Sequence, residues 1–314
     1  MTNSKATLPQ LSGAVFLTDS GLETDLIFNH GLDLPDFAPF PLLETAEGRA
    51  TLEQYFREHL DVASGRGMGV VFETPTWRAS PDWGARLGYD LSTLAALNSE
   101  AVALLRDLRD EAGSDVPFII SGNVGPRHDG YDPNAVMSVA EASDYHSWQV
   151  GVLATSGVDV VSAFTIDYVE EGVGIARAAA GAQVPSVISF TTDDQGALPD
   201  GTSVARAIER IDAEAITPPA YYMLNCTHPQ HVTRMLSEGG AWRERVRGIR
   251  ANASPLGLVE PPEGQPLDPG DVAGFASAMQ QVNQLAPSIT ILGGCCGTDV
   301  RHVRAVADAM RGVA

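Results

Sequence analysis

A single lysine, Lys5, occurs among 314 residues. It precedes the first recognisable structural pattern. Chemistries that need a lysine placed in the fold are therefore set aside: Schiff-base aldol reactions, pyridoxal-phosphate catalysis and Walker-type phosphate loops. Cysteine is scarce too, with only Cys226, Cys295 and Cys296. An odd count with two adjacent members makes a poor disulfide framework and fits thiolate chemistry in a reducing cytoplasm. Basic residues number 20 against 40 acidic ones, a formal charge of −20. Such a surface repels phosphates, which argues against nucleic acid and anionic membranes as partners. No apolar run approaches the roughly 18 residues of a membrane span. The N-terminus lacks the basic-then-apolar order of a secretion signal. No G-x-G-x-x-G follows the first apolar run, so a dinucleotide fold has no support.

What is present is a repeated alternation. Eight short apolar, β-branched runs fall at 14–20, 68–74, 117–123, 158–165, 185–191, 220–226, 246–252 and 288–294. Amphipathic stretches lie between them at 47–66, 91–112, 133–156, 169–182, 203–213, 229–238, 268–284 and 299–310. Continuous apolar strands alternating with helices imply a parallel sheet covered on both faces. Eight such units predict an α/β fold, the (β/α)8 TIM barrel, as one domain over 1–314 with residues 1–12 as an N-terminal tail. The Pro-rich stretch 255–269 reads as a long loop after the seventh strand. Too little chain follows it for a second domain.

A barrel places its chemistry at the C-terminal strand ends. Those ends are polar here: Asp19-Ser20, Glu73-Thr74, Asn123, Thr165 with Asp167, Thr191-Thr192, Asn225-Cys226, Asn252, and 293–296. Helix capping alone accounts equally well for Thr165, Thr191 and Asn252. It does not account for the cysteines, which all fall after strands six and eight. One strand separates these two, so their ends lie about 10 Å apart at roughly 4.8 Å per strand. Inward side chains from both can converge. Gly293, Gly294 and Gly297 let the backbone turn both adjacent thiols toward one point. Three thiolates with an open fourth position describe a catalytic zinc site. His228 and His231 are alternative fourth ligands, although His228 reads more simply as a solvent-facing helix start.

These motifs resemble the homocysteine S-methyltransferase family of zinc-dependent barrel enzymes. The strongest likeness is Asn225-Cys226 together with GGCCGT at 293–298, with His302 following. TDSGLETDL at 18–26 is similar to the family's opening D-G-x-x-G-T-E-L. FETPTWRAS at 72–80 resembles its second-strand segment, and SGNVGP at 121–126 its third. The resemblance spans about residues 15–303. It implies zinc on Cys226, Cys295 and Cys296, a thiol acceptor such as homocysteine, and a cationic methyl donor of the S-methylmethionine or betaine type. It also implies Asp19, Glu73 and Asn225 as catalytic groups. Asp19, Thr74, Asn123, Phe164, Thr165 and Asp167 are the implied substrate contacts. Trp77, Phe164, Tyr168, Tyr221 and Tyr222 are candidates to hold the donor cation on an aromatic face.

Two positions depart from the family pattern. Glu23 stands where the opening motif has glycine. Phe164 stands where the fourth-strand pattern, F-E-T-I-P, has a glutamate that binds the amino group of homocysteine. Either Asp19, Glu73 or Asp167 replaces that carboxylate, or the acceptor is another thiol. Zinc used as a Lewis acid in a lyase or hydrolase is the competing enzymatic reading, and a non-enzymatic zinc or redox-responsive protein is the third. The polar ring of strand ends argues against the last. A homo-oligomer is compatible with the sequence.

Overall fold

The computed structural model describes residues 8–129, 136–255, 267 and 269–311. Eight parallel strands pair in chain order: β1 (Phe16–Thr18), β2 (Gly69–Glu73), β3 (Phe118–Val124), β4 (Val160–Ile166), β5 (Ser186–Thr191), β6 (Tyr221–Asn225), β7 (Val246–Ala251) and β8 (Ile291–Gly294). The last closes on the first through Phe16 opposite Ile291. The expected TIM barrel is thus the observed one. All strands but β3 are shorter than the apolar runs that announce them, and after β1, β2, β6 and β7 the last run residues enter the turn beyond the strand.

Around the barrel lie α1 (Leu22–Thr24), a single turn, then α2 (Ala46–Ser64), α3 (Pro81–Arg86), α4 (Leu91–Ala112), α5 (Val139–Ser156), α6 (Val169–Gly181), α7 (Val204–Glu214), α8 (Pro229–Ser237), α9 (Val272–Leu285) and α10 (Val300–Met310). Their starts follow capping chemistry. Thr45, Asp90, Ser138, Ser203 and Asp271 each accept a backbone N–H of the first turn. Thr165, Thr191 and Asn252 are not among the caps: α6, α7 and α9 start at Tyr168, Ser203 and Asp271 instead. The Pro-rich loop at 255–269 falls almost wholly outside the described residues.

Strand side chains alternate between two cores. Val70, Phe72, Ile120, Val161, Ile188, Phe190 and Leu224 face the helices. Phe16, Val71, Ile119, Val160, Phe164, Val187, Tyr221, Met223 and Ile291 fill the interior. Residues 8–12, expected as tail, are not loose. Pro9–Leu11 forms a helical turn, Leu8 and Leu11 pack on the interior cluster, and Gln10 is fully buried. Apolar side chains that close the barrel's N-terminal end explain the difference. No helix among the described residues is long and apolar enough to cross a membrane.

Phe72 joins β2 to the outer layer, with its ring 5.2 Å from Phe118 and 5.3 Å from Phe56. Phe72→Ala is expected to cost about 3–5 kcal/mol of stability. Urea unfolding should show a lower midpoint with an unchanged slope.

Candidate active site

The barrel brings the three cysteines together. Cys226 follows β6, and Cys295 and Cys296 follow β8. The Sγ atoms of Cys226 and Cys295 lie 3.1 Å apart, those of Cys295 and Cys296 4.0 Å, and all three lie within 4.8 Å of one another. A tetrahedral ion with metal–sulfur bonds of about 2.3 Å needs sulfurs about 3.8 Å apart, which these distances bracket. The cluster can therefore hold a metal ion, and all-sulfur ligands suit a soft or borderline one. Thiols so close cannot all ionise without a compensating cation. The hydrogen bond shared with Cys226 is the largest influence on Cys295 and, with burial, pushes its thiol up to about 12. Contact with Cys226 and Cys295, with burial, also raises Cys296 well above the ordinary thiol range.

Backbone contacts fix the cluster. The Cys295 N–H donates to Ala251 O (2.7 Å) and the Cys226 N–H to Arg250 O (3.2 Å). Thr298 Oγ1 donates to Cys295 O (2.6 Å). A Cβ at Gly21 would lie 2.3 Å from that same carbonyl, so only glycine admits this approach. Neither His228 nor His231 joins the cluster. His228 caps α8 as expected but is buried rather than solvent-facing, and burial pulls it down to about 4.

Asn225 ties the cluster to a strained strand end. Its Oδ1 accepts from the Thr165 N–H (3.1 Å) and the Ser189 hydroxyl (2.7 Å). Its Nδ2 donates to Thr165 Oγ1 (3.0 Å) and Cys226 Sγ (3.2 Å). Thr165 and Cys226 both adopt left-handed backbone, at φ 65° and 54°. That is costly for a β-branched residue and persists only where surroundings enforce it. The β4–β5 register shifts at this point.

Arg250, on β7, is a buried charge beside the cysteines that the sequence reading missed, as it did the cavity residues Phe37 and Arg78. Its Nη1 and Nη2 donate to the two oxygens of Asp19 (2.7 and 3.0 Å), its Nη2 also to Ser20 O (2.8 Å), and its Nε to Gly294 O (3.2 Å). Burial alone would lower its pKa, but the Asp19 charge outweighs this and holds the guanidinium above its ordinary value. An arginine inside an apolar strand was the available signal, since a buried charge demands a partner. The network continues outward. His59 Nδ1 donates to Tyr55 O (2.8 Å), so Nε2 accepts from the Ser20 hydroxyl (2.9 Å). The Tyr55 hydroxyl then turns its proton toward Ser20 Oγ and Asp19 Oδ2 (3.0 and 3.2 Å).

A cavity of about 190 Å³ opens above the cysteines. Gly21, Glu23, Thr24 and Phe37 line one side, and Trp77, Arg78, Asn123 and Asp129 the next. Phe164, Thr165, Asn225 and Arg250 complete it with the three cysteines. Of the implied substrate contacts, Asn123, Phe164 and Thr165 thus reach the cavity, as does Asn225 of the implied catalytic groups, and Asn123 Oδ1 is buried without a hydrogen-bond partner. Asp19, Glu73, Thr74 and Asp167 do not line it. Asp19 is engaged by Arg250. Thr74 Oγ1 bonds Thr76 Oγ1 (2.7 Å) and accepts from the Asn123 N–H (2.9 Å). Asp167 is buried. The aromatic candidates narrow to Trp77 and Phe164, with Phe37 added. One face of Trp77 is already covered by the Arg78 guanidinium, 3.9 Å from the ring centre.

Comparison with known proteins agrees with this geometry. A family model described as homocysteine S-methyltransferase matches residues 16–310. A selenocysteine Se-methyltransferase of Brassica oleracea var. italica is 23% identical, covering 94% of this chain and 88% of that protein. The homocysteine S-methyltransferase YbgG of Bacillus subtilis (strain 168) is 25% identical over 81% of this chain and 80% of its own length. Among solved structures, the oxidized form of the Escherichia coli homocysteine methyltransferase MmuM superposes with a TM-score of 0.75 at 20% identity, covering 95% of this chain and 97% of that one. Its metallated form gives 0.74 at 19% identity, covering 96% and 98%.

Glu73 lies inside the barrel, and burial pushes its carboxyl up to about 8, against the opposing charge of Arg250. The native chain therefore keeps a proton that the unfolded chain loses near 4.5. This favours the fold below that pH and is lost as pH rises toward 8. Glu73→Gln should remove this decline: stability measured by urea unfolding from pH 5 to 9 should fall less steeply in the variant. Arg250→Met should cost about 3–5 kcal/mol by leaving Asp19 buried and unpaired. In a double-mutant cycle, Asp19→Asn should restore part of that loss.

Proposed function

The chain belongs to the homocysteine S-methyltransferase family, and from that premise we propose that it transfers a methyl group, in a zinc-dependent reaction, from a cationic donor to homocysteine, giving methionine. The observation that carries this reading is the cluster of three cysteine thiols within 4.8 Å at one wall of the cavity. Cys226, Cys295 and Cys296 would hold the zinc. Bound there, zinc supplies a Lewis acid that keeps an acceptor thiol as thiolate near neutral pH. A lyase or hydrolase reading has no observation in its favour, because an all-thiolate donor set suits thiol activation better than polarising water.

The chain's own residues then have defined tasks. Asn225 and the backbone acceptors of Cys226 and Cys295 hold the thiol end rigid. Phe37, Trp77 and Phe164 give the cavity apolar walls that exclude water and suit a sulfonium or quaternary ammonium donor such as S-methylmethionine or a betaine. Held in line, the acceptor sulfur forms a bond to the donor methyl carbon as the donor's own bond to that carbon breaks. The electron pair stays on the donor atom, which leaves neutral. Proximity and orientation supply most of the acceleration, and no covalent enzyme intermediate is needed. The acidic surface raises the local donor concentration only modestly at physiological salt. Thiolate chemistry of this kind fits a reducing cytoplasm.

Purified protein should carry about one zinc per chain, and Cys295→Ser should reduce zinc content to background by elemental analysis. Incubation with homocysteine and a panel of sulfonium and betaine donors, read by mass spectrometry, should yield methionine. Protein that retains zinc but methylates no thiol across the panel would contradict the proposal.

A further inference from the structure

We propose that Glu23 and Arg78 act as a charge pair that reads the ammonium and carboxylate groups of an α-amino-acid thiol, so that the cavity selects zwitterionic acceptors. This rests on the thiol-acceptor reading above. Charged groups at the cavity wall are few. They are Glu23, Asp129, Arg78 and Arg250. Arg250 is committed to Asp19 through both oxygens. Asp129 sits at the rim with its side chain 73% exposed. The three carboxylates that sequence reasoning offered for the ammonium, Asp19, Glu73 and Asp167, do not line the cavity. Phe164 is apolar. Glu23 is then the one sheltered carboxylate at the cavity wall among the described residues.

Its position fits the task. Glu23 follows Gly21, whose backbone packs against the Cys295 carbonyl. The carboxylate interacts electrostatically with Cys295 on one side and with Arg78 on the other. Glu23 and Arg78 line the same cavity as the cysteines, so a ligand whose thiol reaches the cluster can meet both.

Arg78 is complementary. Its guanidinium lies 3.9 Å from the Trp77 ring centre and 3.6 Å from that of Trp83, and its Nη1 donates to His128 O (3.1 Å). Its Nε is buried without a hydrogen-bond partner, and the Asp129 carboxylate stands off at 3.9 Å. A stacked, immobilised guanidinium with unused donors is suited to a carboxylate. Thiol at the cysteines, ammonium at Glu23 and carboxylate at Arg78 make three contacts, which describes an α-amino acid.

The test is calorimetric binding to the zinc-loaded protein of homocysteine, its deaminated analogue and its decarboxylated analogue. Glu23→Gln should weaken homocysteine and the decarboxylated analogue at least about tenfold and leave the deaminated analogue unchanged. Arg78→Gln should weaken homocysteine and the deaminated analogue by a similar factor and spare the decarboxylated one. Arg78→Lys should recover part of the loss. The spared ligand in each case reports a folded site. Equal weakening of all three ligands, or no change, in either variant overturns this inference alone. If the wild-type protein binds none of the three, the acceptor reading above fails, and this inference with it.

Discussion

Three sulfur atoms confined within 4.8 Å set the terms for the rest of this molecule. They repel one another as anions and resist ionising as thiols. The arrangement makes chemical sense around a cation, and much of the surrounding structure serves to hold it. Two strand ends separated by β7 supply the thiols. Glycine at position 21 lets one turn approach the Cys295 carbonyl. A left-handed Cys226 turns its side chain away from the regular path of β6. Asn225 commits its amide to Thr165, Ser189 and Cys226, so the strain at β4 and the placement of the Cys226 thiol share one side chain.

Charge is balanced in the same region by a second device. Arg250 and Asp19 form a buried bidentate pair behind the cysteines, and Tyr55, Ser20 and His59 extend it to α2. A buried pair of this kind is a poor source of net stability, but losing one partner is severe. Its value here is positional. Arg250 bonds Ser20 O and Gly294 O as well, and so stitches the turns after β1 and β8 to β7. The cavity wall and the cysteine turn cannot then move independently.

Much of this was legible in the sequence. The apolar runs announced every strand because parallel barrel strands are buried on both faces. The cysteines announced a cluster able to hold a metal because none lies elsewhere in the chain. Side-chain direction was not legible. Polar residues crowd the strand ends, but Thr74 turns into a local hydrogen-bond network while Asn123 reaches the cavity. At β4 Phe164 keeps the interior phase of Val160, but the irregularity after Ala163 breaks the two-residue alternation and turns Ile166 to the outer layer. Arg250 was overlooked because a basic residue in a short strand carries no local sign of a partner 231 positions away. Glu23 was seen as a departure from the family's motif, but only the fold shows that it faces the cavity. Residues 8–12 looked like tail because three apolar side chains are too few to show a period.

The central claim is that the cysteine cluster presents an acceptor thiol to the methyl donor. X-ray absorption at the zinc edge of the zinc-loaded protein tests it most directly, recorded before and after homocysteine is added. The account predicts three sulfur neighbours before addition and four after. A sulfur count that stays at three with homocysteine bound would contradict it.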